Sequence, residues 1–196
     1  MTAKILVLAG SIRSDSLNRK LAQTLTDALA QKGVDAENLS LTDYELPLFN
    51  ADIDVPENAI ALARRFITSD ALVFVSPEYN ASLTPLLKNT IDWVSVTRNE
   101  KGEGFGPYRG KICFLASCSP GATGGLRGLY HLRAVLMNVG AEILTLQLAI
   151  GNGATAFGDN GQLNEERLRD LMDKGLDDLV LAISRAKAVP QGSKLA

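Results

Sequence analysis

The feature that most constrains the fold is the alternation of short, wholly apolar runs with segments whose apolar residues recur every three to four positions. Lys4–Ala9 is the first such run, and it stops at Gly10-Ser11, the pattern of a strand buried on both faces. From Ser16 or Asn18 to Lys32, Leu17, Leu21, Leu25 and Leu29 lie four residues apart and Gly33 supplies the stop, which predicts a helix packed along one stripe. Val34–Leu41 offers a weaker, alternating strand, and a polar connection runs from Pro47 to Pro56. Glu57–Thr68 reads as a helix and Ala71–Ser76 as a buried strand stopped by Pro77. A helix follows from about Thr84 to Val96, with Pro85 in its first turn, where a missing N–H costs nothing. Gly102, Gly104, Gly106, Pro107 and Gly110 mark a long loop through 97–110, and Lys111–Ser117 is strand-like. Gly121–Gly125 is a glycine-rich turn before a helix from about Leu126 to Val139, and Glu142–Leu148 is the last strand. Leu168, Leu171, Met172, Leu176, Leu179, Val180 and Ile183 space out a final amphipathic helix.

Strands alternating with helices require parallel pairing, right-handed crossovers and helices on both faces of the sheet. The expected fold is α/β, a flavodoxin-like three-layer sandwich with a five-stranded parallel sheet in the order 2-1-3-4-5. Its switch point lies between the first and third strands, so a ligand is expected where the loops after those strands meet. A chain of 196 residues buries about 70% of its unfolded surface, enough for one core. One domain over residues 1–187 with a frayed tail at 188–196 is the expected organisation.

Charge and cysteine usage narrow the partners. Twenty Lys+Arg against 22 Asp+Glu give a net charge of −2, which lacks the basic balance of a nucleic-acid binder and leaves small molecules or other chains as partners. The apolar run near the N-terminus is too short for a signal-peptide core or a membrane span, so a cytoplasmic protein without membrane contact is expected. Cys113 and Cys118 match no common zinc spacing and His131 is the single imidazole, so no metal cluster is expected and both thiols should be free.

Three loops leave the same sheet edge. The first packs Ser11, Arg13, Ser14, Ser16 and Asn18 around a helix N-terminus, whose unpaired N–H groups attract an anion such as phosphate. The alternative is an ordinary serine or Asn N-cap with a solvated Arg13. The second loop, Ser76-Pro77-Glu78-Tyr79-Asn80-Ala81-Ser82, offers main-chain groups, an amide and an aromatic ring to a flat heterocycle, or is a Pro-started turn with Tyr79 packed on its neighbour. The third, Ser117 to Gly125, is built for close backbone approach. Neither a Gly-x-Gly-x-x-Gly fingerprint nor a nucleotide-triphosphate loop occurs.

Gly10-Ser11-x-Arg13-x-x-Ser16-x-Asn18 is followed, in order, by Pro77-Glu78-Tyr79-Asn80, by Leu87-Lys88-Asn89-x-Ile91-Asp92-Trp93, and by Gly124-Gly125-x-Arg127-x-x-Tyr130-His131-Leu132-Arg133. In these motifs the chain resembles the NADPH-dependent FMN reductases, including bacterial quinone, chromate and azo-dye reductases. The resemblance spans most of residues 4–150 and fades from Gly151 onward. It implies that Ser11, Arg13, Ser16, Leu17 and Asn18 hold the FMN phosphate, that Pro77, Glu78, Tyr79 and Asn80 line the isoalloxazine ring, and that Ser117 or Ser119 contacts its pyrimidine edge. It further implies a homodimer or homotetramer with the flavin near a subunit interface. Arg127 and Tyr130 are candidates for that interface, with a solvated helix face as the alternative. Leu46-Pro47-Leu48-Phe49 would cover a partner's active site or staple its own core; Trp93 is expected as packing, Cys113 as a buried small hydrophobe, and Cys118 as a loop thiol of open role.

The resemblance implies an NAD(P)H oxidoreductase, using NADPH or NADH, that passes hydride to flavin N5 and on to a small electron acceptor by a ping-pong route. A protein whose cofactor carries the chemistry needs no acid/base dyad, and none is visible. One rival is a flavodoxin-type electron shuttle or flavin-bearing interaction module without a nicotinamide site, for which a charge of −2 gives little docking field. A serine hydrolase is the other, and it lacks the Gly-x-Ser-x-Gly elbow.

Overall fold

The apolar runs pair into one parallel sheet. In the computed structural model, which describes residues 2–97 and 106–188, the strands are β1 (Lys4–Ala9), β2 (Asp35–Leu39), β3 (Ala71–Val75), β4 (Ile112–Cys118) and β5 (Glu142–Ile150). They lie in the order β2-β1-β3-β4-β5, as expected, with Ile5 beside Ala36 and Ala71 and with Ala71 beside Ile112. Five helices connect or follow them: α1 (Leu17–Gln31), α2 (Glu57–Thr68), α3 (Pro85–Ser95), α4 (Leu126–Asn138) and α5 (Glu166–Ala188).

Alternate residues of each central strand feed the two faces. Ile5, Val7 and Phe114 pack with Leu21, Leu25 and Leu29 of α1 and Leu176, Leu179 and Ile183 of α5. Leu6, Leu8, Phe74 and Leu115 pack instead with Phe66 of α2, Ile91 of α3 and Leu129, Leu132 and Leu136 of α4. Burying each such side chain stabilises the fold by about 1.5–3 kcal/mol, which is why the central strands are almost wholly apolar on both faces.

The differences from expectation lie at the sheet margins. β2 ends at Leu39, because Ser40 caps a short 3-10 turn over Leu41–Asp43. β5 extends to Ile150, two residues past expectation, and carries a bulge: Cys113 pairs with Ile143 but Leu115 with Gln147. Arg133 from α4 satisfies this irregular strand, donating to Leu144 O at 2.6 Å and to Gln147 Oε1 at 3.0 Å. Most of the expected 97–110 loop and all but the first residue of the expected tail lie outside the described residues. Trp93 is buried, donates from Nε1 to Pro47 O at 2.7 Å and meets the Phe49 ring edge-on, so Pro47 and Phe49 staple their own core.

Candidate functional site

The sheet's C-terminal edge holds the three candidate loops side by side. The ladder continues past the strands: Gly10 N–H donates to Val75 O at 2.8 Å, Ser76 N–H to Ala116 O at 2.9 Å and Ser119 N–H to Ile150 O at 3.0 Å. Gly10 is required here, since a Cβ would lie 2.5 Å from the Leu87 side chain. Its absence lets α3 close on β1 and brings the loops after β1 and β3 together at the switch point.

In the loop after β1, Ser16 is the N-cap of α1, its Oγ accepting from Arg19 N–H at 3.4 Å, and buried Ser11 accepts from Arg13 N–H at 3.3 Å. The first-turn amides of Leu17 and Asn18 have no acceptor within the helix by its geometry, and they stand with the two hydroxyls at its positive end. Arg13 is exposed and grips Asp15 through both carboxylate oxygens at 2.9 Å; this pairing raises the Arg13 pKa and lowers that of Asp15. A groove of about 490 Å³ runs from this loop to the end of β2, lined by Ser11, Ser16 and Leu17 of the loop and by Lys20, Asn38 and Ser40 among others.

In the loop after β3, Tyr79 and Ser82 exchange two backbone hydrogen bonds of 3.0 Å around Asn80 and Ala81, both at positive φ (50° and 62°). Asn tolerates that conformation, but for Ala it costs about 1 kcal/mol, a strain retained where the turn must present particular groups. The turn leaves Tyr79 exposed beside Asn80, over buried Pro77.

Three of the expected ligand side chains have hydrogen-bond or packing partners within the chain. The Glu78 carboxylate meets Arg127 and accepts the Gly128 N–H at 3.1 Å. Ser117 is fully buried, its Oγ lying under Gly125 without a hydrogen-bond partner, while half-buried Ser119 accepts the Gly121 N–H on its Oγ at 3.2 Å. Asn18 is buried and spends both ends of its amide on the Cys118 main chain at 2.8 and 2.9 Å. Arg127, a candidate interface residue, is exposed yet paired within its own chain, and Tyr130 is exposed on α4.

The remaining residues have structural environments. Cys113 and Cys118 are buried; burial pushes the Cys118 thiol up to about 11, and that of Cys113 up as well. His131 Nδ1 lies 3.0 Å from Ser82 Oγ, and Gly128 lets α4 approach the second loop, where a Cβ would sit 3.0 Å from Ser82 O. Sequence reading does not single out Asp15, Ser82 or Gly128; for Asp15 the signal was an acid two residues from the loop's arginine.

The 2-1-3-4-5 parallel sheet, with unpaired helix amides and hydroxyls at one switch-point loop and an aromatic, amide-bearing turn at the next, defines a flavodoxin-like protein. The comparisons narrow that class. The family model for NADPH-dependent FMN reductase matches residues 3–155. The chain is 30% identical over 188 residues to an NAD(P)H-dependent FMN reductase of Pseudomonas aeruginosa, covering 94% of this chain and 97% of that one. It is 34% identical over 166 residues to a quinone reductase of Pseudomonas putida, covering 83% and 85%. Among solved structures it is similar to FerB, a flavoenzyme NAD(P)H:(acceptor) oxidoreductase from Paracoccus denitrificans, with a TM-score of 0.80 and 29% identity over 94% of this chain and 98% of that one. The chain belongs to the NADPH-dependent FMN reductase family.

Proposed function

We propose that this protein is an FMN-dependent oxidoreductase that takes reducing equivalents from NADPH or NADH and delivers them to a small acceptor, such as a quinone, azo compound, metal oxyanion or free flavin, in two half-reactions at one site. The observation that carries this reading is the apposition of the α1 N-terminus, with Ser11, Arg13 and Ser16, to the strained Tyr79–Ser82 turn across the switch point. FMN, when bound, supplies the chemistry, accepting hydride at N5 and releasing electrons to the acceptor.

The residues present fit that group. Ser11, Arg13, Ser16 and the Leu17 and Asn18 amides offer only donors or a cation to a phosphate, and the helix dipole adds to them. Arg13 must turn from Asp15 to reach it, exchanging one exposed carboxylate for the phosphate. Pro77, Tyr79 and Asn80 would line the ring, and Ser119 would meet its pyrimidine edge. Glu78 keeps its negative charge away from the ring by pairing with Arg127. A second copy of the chain would complete a homodimer or homotetramer, with Tyr130 and the exposed side of Arg127 at the contact, in the cytoplasm. No helix among the described residues is long and apolar enough to cross a membrane.

The test is NADPH and NADH oxidation by FMN-loaded protein with a quinone or ferricyanide. Acceptor-dependent turnover supports the reading; FMN-loaded protein inert with both nicotinamides refutes it.

A further inference from the structure

We infer that the side chain of Asn18 is a positioning group rather than a phosphate ligand, one that locks the phosphate-side loop to the ring-edge loop; this rests on the flavin reading of the site. Along β4 and just past it, Ala116 accepts from Ser76, the residue after β3, whereas Ser119 donates to Ile150 of β5. Main-chain groups alternate sides along a strand, so the N–H and C=O of Cys118 face β3. By that level β3 has ended at Val75 and its chain has turned off at Pro77, leaving Cys118 without a strand beside it.

Asn18 fills the gap. Its Nδ2 donates to Cys118 O at 2.8 Å and its Oδ1 accepts the Cys118 N–H at 2.9 Å, so one side-chain amide reproduces the donor and acceptor of a missing strand residue. The tie spans 100 residues of sequence and is 4% exposed. Packing reinforces it: a Cβ on Gly153 would lie 2.7 Å from Leu17 Cδ1 and 2.8 Å from Cys118 Sγ, so the loop after β5 closes on both ends of the tie, beside Leu17 and Cys118. Ser119, the next residue, is therefore placed relative to the first turn of α1 by this pair of bonds.

The consequence separates the two roles. A phosphate ligand matters for FMN and not for riboflavin, which lacks the phosphate, whereas a tie between loops matters for both. The experiment is fluorescence titration of the full chain and of Asn18→Ala with FMN and with riboflavin, well below each protein's unfolding transition, with Arg13→Ala as the phosphate-ligand reference. Asn18→Ala is expected to weaken both flavins by about tenfold, the scale of losing two buried hydrogen bonds, with their ratio held within about twofold. Loss of FMN affinity alone, or no change in either, overturns the inference and leaves the flavin reading standing. A wild-type chain that binds neither flavin overturns both. Should Asn18→Ala fold poorly, Asn18→Ser goes through the same titration with the same expected ratio, and Cys118 amide hydrogen exchange, protected in the wild type, is expected to be at least tenfold faster in that variant.

Discussion

Glu78 and Arg127 form an ion pair that joins the turn after β3 to the first turn of α4, and the same carboxylate caps that helix through the Gly128 N–H. Burial alone would raise the Glu78 pKa, but Arg127 and the Gly128 N–H outweigh it and hold the group below its ordinary value. A carboxylate depressed in the folded state contributes stability that is complete above its unfolded pKa and is lost as pH falls through the folded value. Glu78→Gln is therefore expected to cost about 1 kcal/mol at neutral pH, kept low by the exposure of Arg127, and to flatten the acid side of the stability profile below about pH 4.5. Urea melts from pH 7 to pH 3 check this; parallel wild-type and variant profiles would remove the pair from the account.

Arg13 stands at the other loop with Asp15 as its present partner. Arg13→Ala is expected to weaken FMN binding tenfold or more, the scale of a charge-assisted hydrogen bond, and to leave riboflavin unchanged. Asp15→Asn, which releases the guanidinium, is expected to tighten FMN modestly. Fluorescence titration reads both, and equal FMN affinity in wild type and Arg13→Ala would exclude this residue from the site.

Two of the glycines that support the third loop have a conformational requirement. Gly124 sits at φ +63° with the Ile150 backbone 2.6 Å from where a Cβ would be, and Gly125 sits at φ +85° with Ser117 Oγ at 2.0 Å. Gly124→Ala is expected to cost about 3 kcal/mol or more, because backbone cannot move aside, whereas Gly161→Ala, also at positive φ but in open space, should cost only about 1 kcal/mol. Thermal melts of the two variants rank them, and equal costs would mean that φ alone decides.

The central architecture was legible because both faces of the sheet are covered, which forces continuous apolar runs and fixed helical stripes such as Leu21, Leu25 and Leu29. The margins were less so. β2 ends early because Ser40 caps a turn, and β5 runs on past Leu148 because Ala149 and Ile150 still pair with Ser117 and Cys118 of β4; neither leaves a local periodic trace. At the site, the loops and their positions could be read from glycines and serines, but not where each side chain points. Asn18 and Glu78 occupy motif positions and Ser117 a strand end, yet their partners lie 100, 49 and 8 residues away, Ser117 being covered by Gly125, and such contacts exist only once the sheet has formed.

The buried thiols make a simple check on the packing of the edge. With Cys118 pushed up to about 11 and enclosed by Gly153, both cysteines are expected to react with a thiol reagent at pH 8 only on unfolding. Rapid labelling of one thiol in the native protein would show that this edge opens.

The central claim is that the switch-point loops hold a flavin that mediates electron transfer from a nicotinamide. Its most direct test is stopped-flow mixing of FMN-loaded protein with NADPH in the absence of oxygen, followed by a quinone. The expected result is bleaching of the bound flavin's visible absorbance, then its full return on adding quinone. A bound flavin that NADPH and NADH both leave oxidised would contradict it.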